Sequence, residues 1–202
     1  FGDLATLRAF VDAAHDRGLL VILDIVTNHM GQVFYYDING NGQPDDTVFG
    51  GGERSRLTRI TEYDPDYGPR GSERWASLGG SGPAQTRFLH VPEIFRVPPS
   101  PAIFADPNVY NRRGRVTDWN VREQVLYGDF PGGLKDLNTE LPEVREAMTQ
   151  VYTDWILRTD IDGFRIDTIK HVEDGFWEYF APEVRRRLAD AVGDIYSWRR
   201  FS

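Results

Sequence analysis

The stretch LLVILDIV, residues 19 to 26, is a nearly continuous run of leucine and β-branched residues. Such a run is typical of a strand in a parallel sheet that is covered on both faces. The residues before it predict a helix, because apolar side chains recur there at helical spacing: Leu4, Leu7, Phe10, Val11 and Ala14. Gly18 stands where such a helix would end. The sequence therefore predicts a helix that leads into a buried parallel strand.

The same order of elements returns later in the chain. GFRID, residues 163 to 167, predicts a second strand, and the helix before it has Pro142 in its first turn. The apolar positions of this helix are Val144, Met148, Val151, Trp155 and Ile156. A further helix is expected to be entered through Pro182, with Val184, Leu188 and Val192 on one side. This α/β alternation is the repeating unit of a (β/α) barrel or a doubly wound sheet.

Between the two units lies a long segment, from Gly31 to Gly133, that holds 15 of the 20 glycines and 10 of the 12 prolines. It is far longer than an ordinary loop between a strand and a helix. It is therefore interpreted as an inserted small domain of short strands and turns.

Composition excludes several classes of function. The net charge of −8 and the absence of an extended basic patch argue against nucleic acid as a partner. No segment is apolar enough to predict a membrane span, and no signal-peptide pattern is found, which leaves the cellular compartment open.

Both predicted strands are followed by polar residues. The first runs into Asp24, Asn28 and His29, and the second into Arg165, Asp167, Lys170 and His171. Reactive groups gather at the carboxyl ends of parallel strands. Arg165 and Asp167 lie two residues apart on one side of a strand, where the cation favours the ionised carboxylate that a nucleophile requires. Alone, the two would be a structural ion pair, but two strands with matching polar ends favour an active site.

DIVTNH, LKDLN and GFRIDTIKH resemble three sequence regions of the α-amylase family of glycoside hydrolases (glycoside hydrolase family 13), in their usual order. The resemblance implies a central part of a (β/α)₈ TIM barrel. Residues 1–30 would hold helix 2 and strand 3, residues 31–133 the inserted domain B, and residues 134–202 helix 3, strand 4 and helix 4. It also implies cleavage of α-1,4-glucosidic bonds with retention, on an α-glucan or maltooligosaccharide.

By the same resemblance, Asp167 would be the nucleophile and Arg165 the partner that holds it ionised. Asp24 would fix this arrangement, and His29, Lys170 and His171 would bind sugar. The general acid of the family, a Glu after the next strand, has no match, and Asp194 follows a glycine at a plausible distance without an apolar strand before it. The chain by itself is therefore expected to be inactive and poorly stable.

Calcium is the expected cofactor, at two places. The family often binds it where Asn28, Asp136 and the backbone of His171 stand in this sequence, although Asn28 and Asp136 could equally well fix a loop. Independently, DINGNGQPD alternates the oxygen-bearing side chains Asp37, Asn39, Asn41 and Asp45 around Gly42, as calcium loops do, but Val48 stands where the bidentate Glu is expected. The alternative is a glycine-rich turn.

Two further functions share these motifs. A glucanotransferase or a trehalose-forming isomerase of the same family would differ in whether water or a sugar accepts the glucosyl unit. A catalytically silent carbohydrate-binding homologue would keep the nucleophile motif and lack the acid.

Overall fold

The computed structural model describes residues 2–31, 33–36, 86–87, 99–113, 116, 118–130 and 134–198. The chain divides into two compact units. The first comprises Phe1–Thr27, Thr139–Ile169 and Glu173–Ser202, and the second comprises Asn28–Asn138 and Lys170–Val172.

The described elements are, in chain order, α1 (Leu4–His15), β1 (Ile22–Val26), β2 (His29–Met30), β3 (Tyr35–Tyr36), β4 (Thr86–Arg87), α2 (Arg122–Tyr127), β5 (Lys135–Asp136), α3 (Pro142–Thr159), β6 (Gly163–Asp167) and α4 (Asp174–Trp198). Short 3₁₀ turns span Ala102–Ala105, Pro107–Val109 and Ile169–His171.

The first unit is an α/β arrangement around one parallel strand pair. β1 pairs with β6 in parallel, α1 contacts α3, and α3 contacts α4. Its core contains Val11, Ile25, Val144, Met148 and Phe176. The helix predicted before LLVILDIV, the helix with Pro142 in its first turn and the GFRID strand are all confirmed.

Local chemistry sets the ends of these helices. Asp3 caps α1, because its carboxylate accepts a hydrogen bond from the Thr6 N–H at 2.8 Å. Gly18 takes φ +70° after α1, a conformation that costs glycine little. Asp160 takes the left-handed conformation at the end of α3, where its N–H donates to the Ile156 carbonyl.

The prediction that LLVILDIV is buried on both faces is wrong in this structure. The strand begins at Ile22, and Ile25 is its one fully buried residue. Leu20 exposes 77% and Ile22 63% of its surface. The physical reason is that β6 is the only strand paired with β1 among the described residues, so part of the apolar surface of this segment lies uncovered.

The prediction that the last helix is entered through Pro182 is also wrong. The helix begins at Asp174, and Pro182 lies inside it. Phe176 and Phe180, which precede the proline in the same helix, are buried and stack with their ring centroids 5.2 Å apart. Their packing holds the helix across a residue that lacks a backbone donor. Asp194 lies in the same helix and follows no strand.

Among its described residues, the second unit contains two antiparallel strand pairs, β2 with β5 and β3 with β4. Its core includes Phe34, Phe104, Tyr110 and Leu137. The Tyr110 hydroxyl donates to the Phe104 carbonyl at 2.6 Å, and burial raises the pKa of that hydroxyl. The unit overlaps the predicted insertion, most of which lies outside the described residues.

None of the helices described is both long enough and apolar enough to span a bilayer.

Candidate active site

The register of the parallel strand pair brings the predicted catalytic residues of the first unit together. Asp24 of β1 lies directly beside Arg165 of β6, and Val26 lies beside Asp167. Because side chains two residues apart in a strand point to the same face, Arg165 and Asp167 share the face on which Asp24 lies.

These residues form a three-membered cluster, here called the Asp24–Arg165–Asp167 cluster. Nη1 of Arg165 donates to both carboxylate oxygens of Asp24, at 3.1 and 3.0 Å. The same nitrogen lies 3.2 Å from Oδ1 of Asp167. Each of the three side chains exposes about half of its surface or more. One guanidinium therefore bridges two carboxylates that remain accessible to solvent.

The two neighbouring carboxylates change the pKa of Arg165. The hydrogen bond to Asp24 and the charges of Asp24 and Asp167 raise the pKa of the guanidinium above its usual value. Arg165 is thus a permanent cation, and the cluster has a formal charge of −1 when both carboxylates are ionised.

The chain turns sharply straight after Asp167. Thr168 has φ +57°, an uncommon backbone conformation for a β-branched residue. A 3₁₀ turn, Ile169–His171, follows. The Lys170 side chain is exposed, whereas His171 is buried.

A buried polar network in the second unit contains three of the predicted metal ligands. Nδ2 of Asn28 donates to Oδ1 of Asp136 at 2.6 Å and to the His171 carbonyl at 3.1 Å. Nδ2 of Asn111 donates to the other oxygen of Asp136 at 2.7 Å. The structure thus brings Asn28, Asp136 and the backbone of His171 to one place, as the sequence motifs suggest.

A buried ion pair supports this network. Nζ of Lys135 lies 3.4 Å from Oδ2 of Asp129, and the Lys135 side chain is fully buried. Oδ1 of Asp129 accepts a hydrogen bond from the backbone N–H of Asp136 at 3.0 Å. Lys135 also lies over the ring of Phe34, with its ammonium 5.1 Å from the centroid.

The two predicted sugar-binding histidines lie in an aromatic cluster of the second unit. His29 and His171 both contact Phe130, at ring-centroid distances of 4.9 and 4.6 Å. Trp119, which is 46% exposed, meets Phe130 and His171 edge to face. Nδ1 of His171 lies 2.8 Å from the Val125 carbonyl. Nδ1 of His29 lies 2.9 Å from Oδ1 of Asn28.

The second calcium prediction cannot be placed. Asp37, Asn39, Asn41 and Asp45 lie outside the described residues.

Sequence reasoning missed Asn111, Asp129 and Lys135. Lys135 offered a signal only through its place in the LKDLN motif, between Leu134 and Asp136. Asn111 and Asp129 lie in polar, glycine-rich sequence where nothing distinguishes them from turn residues.

A family model and individual relatives give the same family for this chain. The family model described as the α-amylase catalytic domain matches residues 1–195. The chain is 35% identical to an α-amylase of Streptomyces lividans over 98% of its own length and 21% of that relative. It is 26% identical to a cyclomaltodextrinase of a Bacillus species, covering 97% of this chain and 25% of the relative.

A solved structure gives the same fold. The chain matches the α-amylase of Geobacillus thermoleovorans, solved in complex with acarbose, with a TM-score of 0.51 and 26% identity over 92% of this chain and 27% of that one. The chain therefore spans about a fifth to a quarter of the length of these relatives.

Proposed function

The chain belongs to the α-amylase family of glycoside hydrolases, and from this premise we propose that it is part of a retaining glycosidase that cleaves α-1,4-glucosidic bonds. Relatives in this family point to a glycosidase-type enzyme with a TIM-barrel catalytic domain. The α-glucan or maltooligosaccharide substrate and the residue roles are our proposal for the complete protein that carries this chain.

The observation that carries the proposal is the Asp24–Arg165–Asp167 cluster. Retention requires an ionised carboxylate on one face of the sugar, which attacks the anomeric carbon while the glycosidic C–O bond breaks. Asp167 suits this role, because its carboxylate is accessible and lies within ion-pair distance of the Arg165 guanidinium. Asp24 acts as a positioning residue, since both its oxygens hold the Arg165 guanidinium.

Both steps of the reaction also need an acid–base group, which we assign outside this chain. The leaving oxygen must take a proton from a carboxylic acid about 5–5.5 Å from the nucleophile, and water must then release the sugar from the covalent intermediate. No residue of this chain is proposed for that acid, because Asp194 lies in α4 and follows no strand.

The arrangement of elements supports the position of the chain in a barrel. β1 and β6 would be the third and fourth strands, and residues 31–133 would form domain B between them. The uncovered apolar surface around Leu20 and Ile22 would then face other parts of the barrel.

His29, Lys170 and His171 are proposed as sugar-binding residues. Lys170 is exposed, and the His29 side chain is partly exposed. His171 is buried, so we assign its contribution to the wall that it forms with Phe130 and Trp119.

Calcium is proposed at the Asn28–Asp136 site. The described residues contain no group of three or more His, Asp or Glu side chains that could hold a metal. The site would therefore use the amide oxygen of Asn28 and the backbone oxygen of His171 as well as the carboxylate of Asp136. Two oxygens, from Asp136 and from the His171 carbonyl, already converge on the Asn28 amide. Such a set of hard ligands suits Ca²⁺, which would stabilise the surrounding loops. The DINGNGQPD loop remains a second proposed site.

The test is the Asp167→Asn variant of the complete protein with maltooligosaccharides as substrate. We expect kcat to fall on the order of a thousandfold or more, because the amide cannot form the glycosyl ester. Asp16→Asn, at an exposed position after α1, is the matched control and should keep normal turnover. NMR of the first product should show the α-anomer.

Other outcomes would identify the alternatives. Products longer than the substrate would indicate a glucanotransferase, and trehalose would indicate an isomerase. Oligosaccharide binding without turnover in the unaltered protein would refute the glycosidase and favour a silent binding homologue.

A further inference from the structure

Arg145, near the start of α3, is held between two segments of the first unit. Its Nε donates to the Thr139 carbonyl at 2.7 Å, and its Nη2 donates to Oε1 of Glu173 at 3.0 Å. The Thr139 hydroxyl donates to the other carboxylate oxygen of Glu173. The three residues close a ring of hydrogen bonds, here called the Arg145–Thr139–Glu173 clamp. Thr139 and Glu173 are the residues at which the chain returns to the first unit.

The clamp differs from an ordinary surface ion pair. The Arg145 side chain is 23% exposed and that of Glu173 17%, so water screens the pair only in part. Each carboxylate oxygen has its own donor, and Arg145 donates in two directions, a geometry that suits a planar guanidinium better than an ammonium. Gly175 leaves room for it, because a Cβ there would lie 3.2 Å from Nη2 of Arg145. The position of the Glu173 side chain is thus closely defined.

Glu173 is also the residue from which α4 starts. Its carbonyl accepts a hydrogen bond from the Phe176 N–H at 3.1 Å, and the Phe176 side chain is fully buried. The backbone of Glu173 is therefore fixed by α4, and its side chain is fixed by the clamp. Asp167, at the other end of the connection, is the last residue of β6 and is fixed by the strand ladder.

The turn between these two ends contains a strained residue. Thr168, directly after Asp167, has φ +57°, which a β-branched residue keeps only where its surroundings enforce it. The Thr168 hydroxyl is buried and meets no hydrogen-bonding group in the described part of the chain, so it does not itself stabilise the turn. His171, in the middle, is held by contacts within the second unit. In the first unit, the ladder at Asp167 and the clamp at Glu173 hold the ends.

We propose that Arg145 is a positioning residue for Asp167, acting through Glu173 and the turn that joins them. With the clamp in place, the end of the turn at Glu173 is fixed, and Thr168 keeps the conformation that sets the position of the Asp167 carboxylate. Without the clamp, the turn relaxes and the carboxylate moves. A displacement of about 1 Å at a reacting group can cost roughly a hundredfold in rate. The inference rests on the proposed function for the role of Asp167.

The first test is Arg145→Met in the complete protein, with maltooligosaccharides as substrate. We expect kcat to fall roughly tenfold to a hundredfold, because the nucleophile is displaced. KM should change much less, since the proposed sugar-binding residues are untouched. Arg158→Met removes the same charge from an exposed position near the end of α3, and this matched control should keep normal kcat.

A double variant tests whether Arg145 acts through Glu173. Glu173→Met removes both acceptor oxygens and should lower kcat to a similar extent. If the two residues act as one clamp, the double variant should lose no more activity than the more impaired single variant. Losses that multiply would show that Arg145 acts by another route and would overturn the proposal.

Hydrogen exchange measures the turn without reference to turnover. Mass spectrometry of peptides covering residues 167–173 should show exchange roughly tenfold or more faster in Arg145→Met, because hydrogen bonds between charged groups are lost. Peptides from α1 should be unchanged, which verifies the fold. If Arg145→Met loosens α1 as well, Thr139→Val removes only the hydroxyl of the clamp and should still accelerate exchange of the turn and lower kcat, each roughly severalfold.

Three further results would contradict the proposal. These are unchanged exchange of the turn, faster exchange of the turn with an unchanged kcat, and an equal fall of kcat in Arg158→Met. Absence of turnover in the unaltered protein would refute the glycosidase instead, and exchange of the turn would still decide whether Arg145 fixes it.

Discussion

Replacing Lys135 with methionine tests whether the buried ion pair holds the polar network of the second unit. The ammonium is fully buried, and its 3.4 Å partner Asp129 also holds the backbone N–H of Asp136. Methionine fills nearly the same volume without the charge, so the buried Asp129 would lose the ammonium of Lys135. Breaking a buried pair in this way costs about 3–5 kcal/mol.

Local hydrogen exchange is the suitable assay, because a multidomain protein does not unfold in one step. Mass spectrometry of peptides covering residues 128–138 should show exchange accelerated roughly a hundredfold or more, as 3 kcal/mol or above implies. Peptides from α1 serve as an internal reference and should be unchanged.

A double-mutant cycle isolates the pair itself. Asp129→Asn leaves the Lys135 ammonium buried and should also be destabilising. The double variant removes both charges and should lie closer to the unaltered protein than the sum of the two single variants. Unchanged exchange in Lys135→Met, or strictly additive effects, would refute this account of the network.

Three further predictions concern the first unit. Asp24→Asn should weaken the hold on Arg165 and lower kcat roughly tenfold to a hundredfold with a smaller change in KM, whereas an unchanged kcat would remove Asp24 from the site. The hydrogen bond that the Asp162 carboxylate accepts from His15 raises the pKa of that imidazole, so this contact should stabilise the fold below pH 6.5 and be lost as pH rises through the higher folded pKa. NMR titration should show that raised pKa falling in Asp162→Asn. Tyr152→Phe removes a hydrogen bond to a β1 carbonyl and should cost about 1 kcal/mol in denaturant unfolding, while equal stability would show that the bond contributes nothing.

The elements of the first unit were largely predictable, because they depend on local patterns. Helical spacing identified α1 and α3, and the β-branched run identified β1. The start of α4 was not predictable from Pro182, because the packing of Phe176 and Phe180 outweighs the local preference of proline for a first turn.

The candidate site was predictable in part. Two strands ending in polar residues indicated an active site there, but the direct pairing of Asp24 with Arg165 depends on the register between strands, which local sequence does not determine. Motif matching selected Asn28 and Asp136. The Lys135–Asp129 pair was not predicted, because tertiary packing determines whether a charged side chain is buried.

The pairing of Asp24 with Arg165 also has a consequence for the synthesis of the protein. The two residues are 141 positions apart, so β1 cannot form its ladder until β6 has left the ribosome. At about 5–20 residues per second, this delay lasts roughly 10–30 s. Throughout it, the leucine-rich segment 19–26 lacks β6 on that edge, and nascent chains on neighbouring ribosomes would compete to pair with it. A chaperone that binds short apolar stretches would therefore act first on residues 19–26.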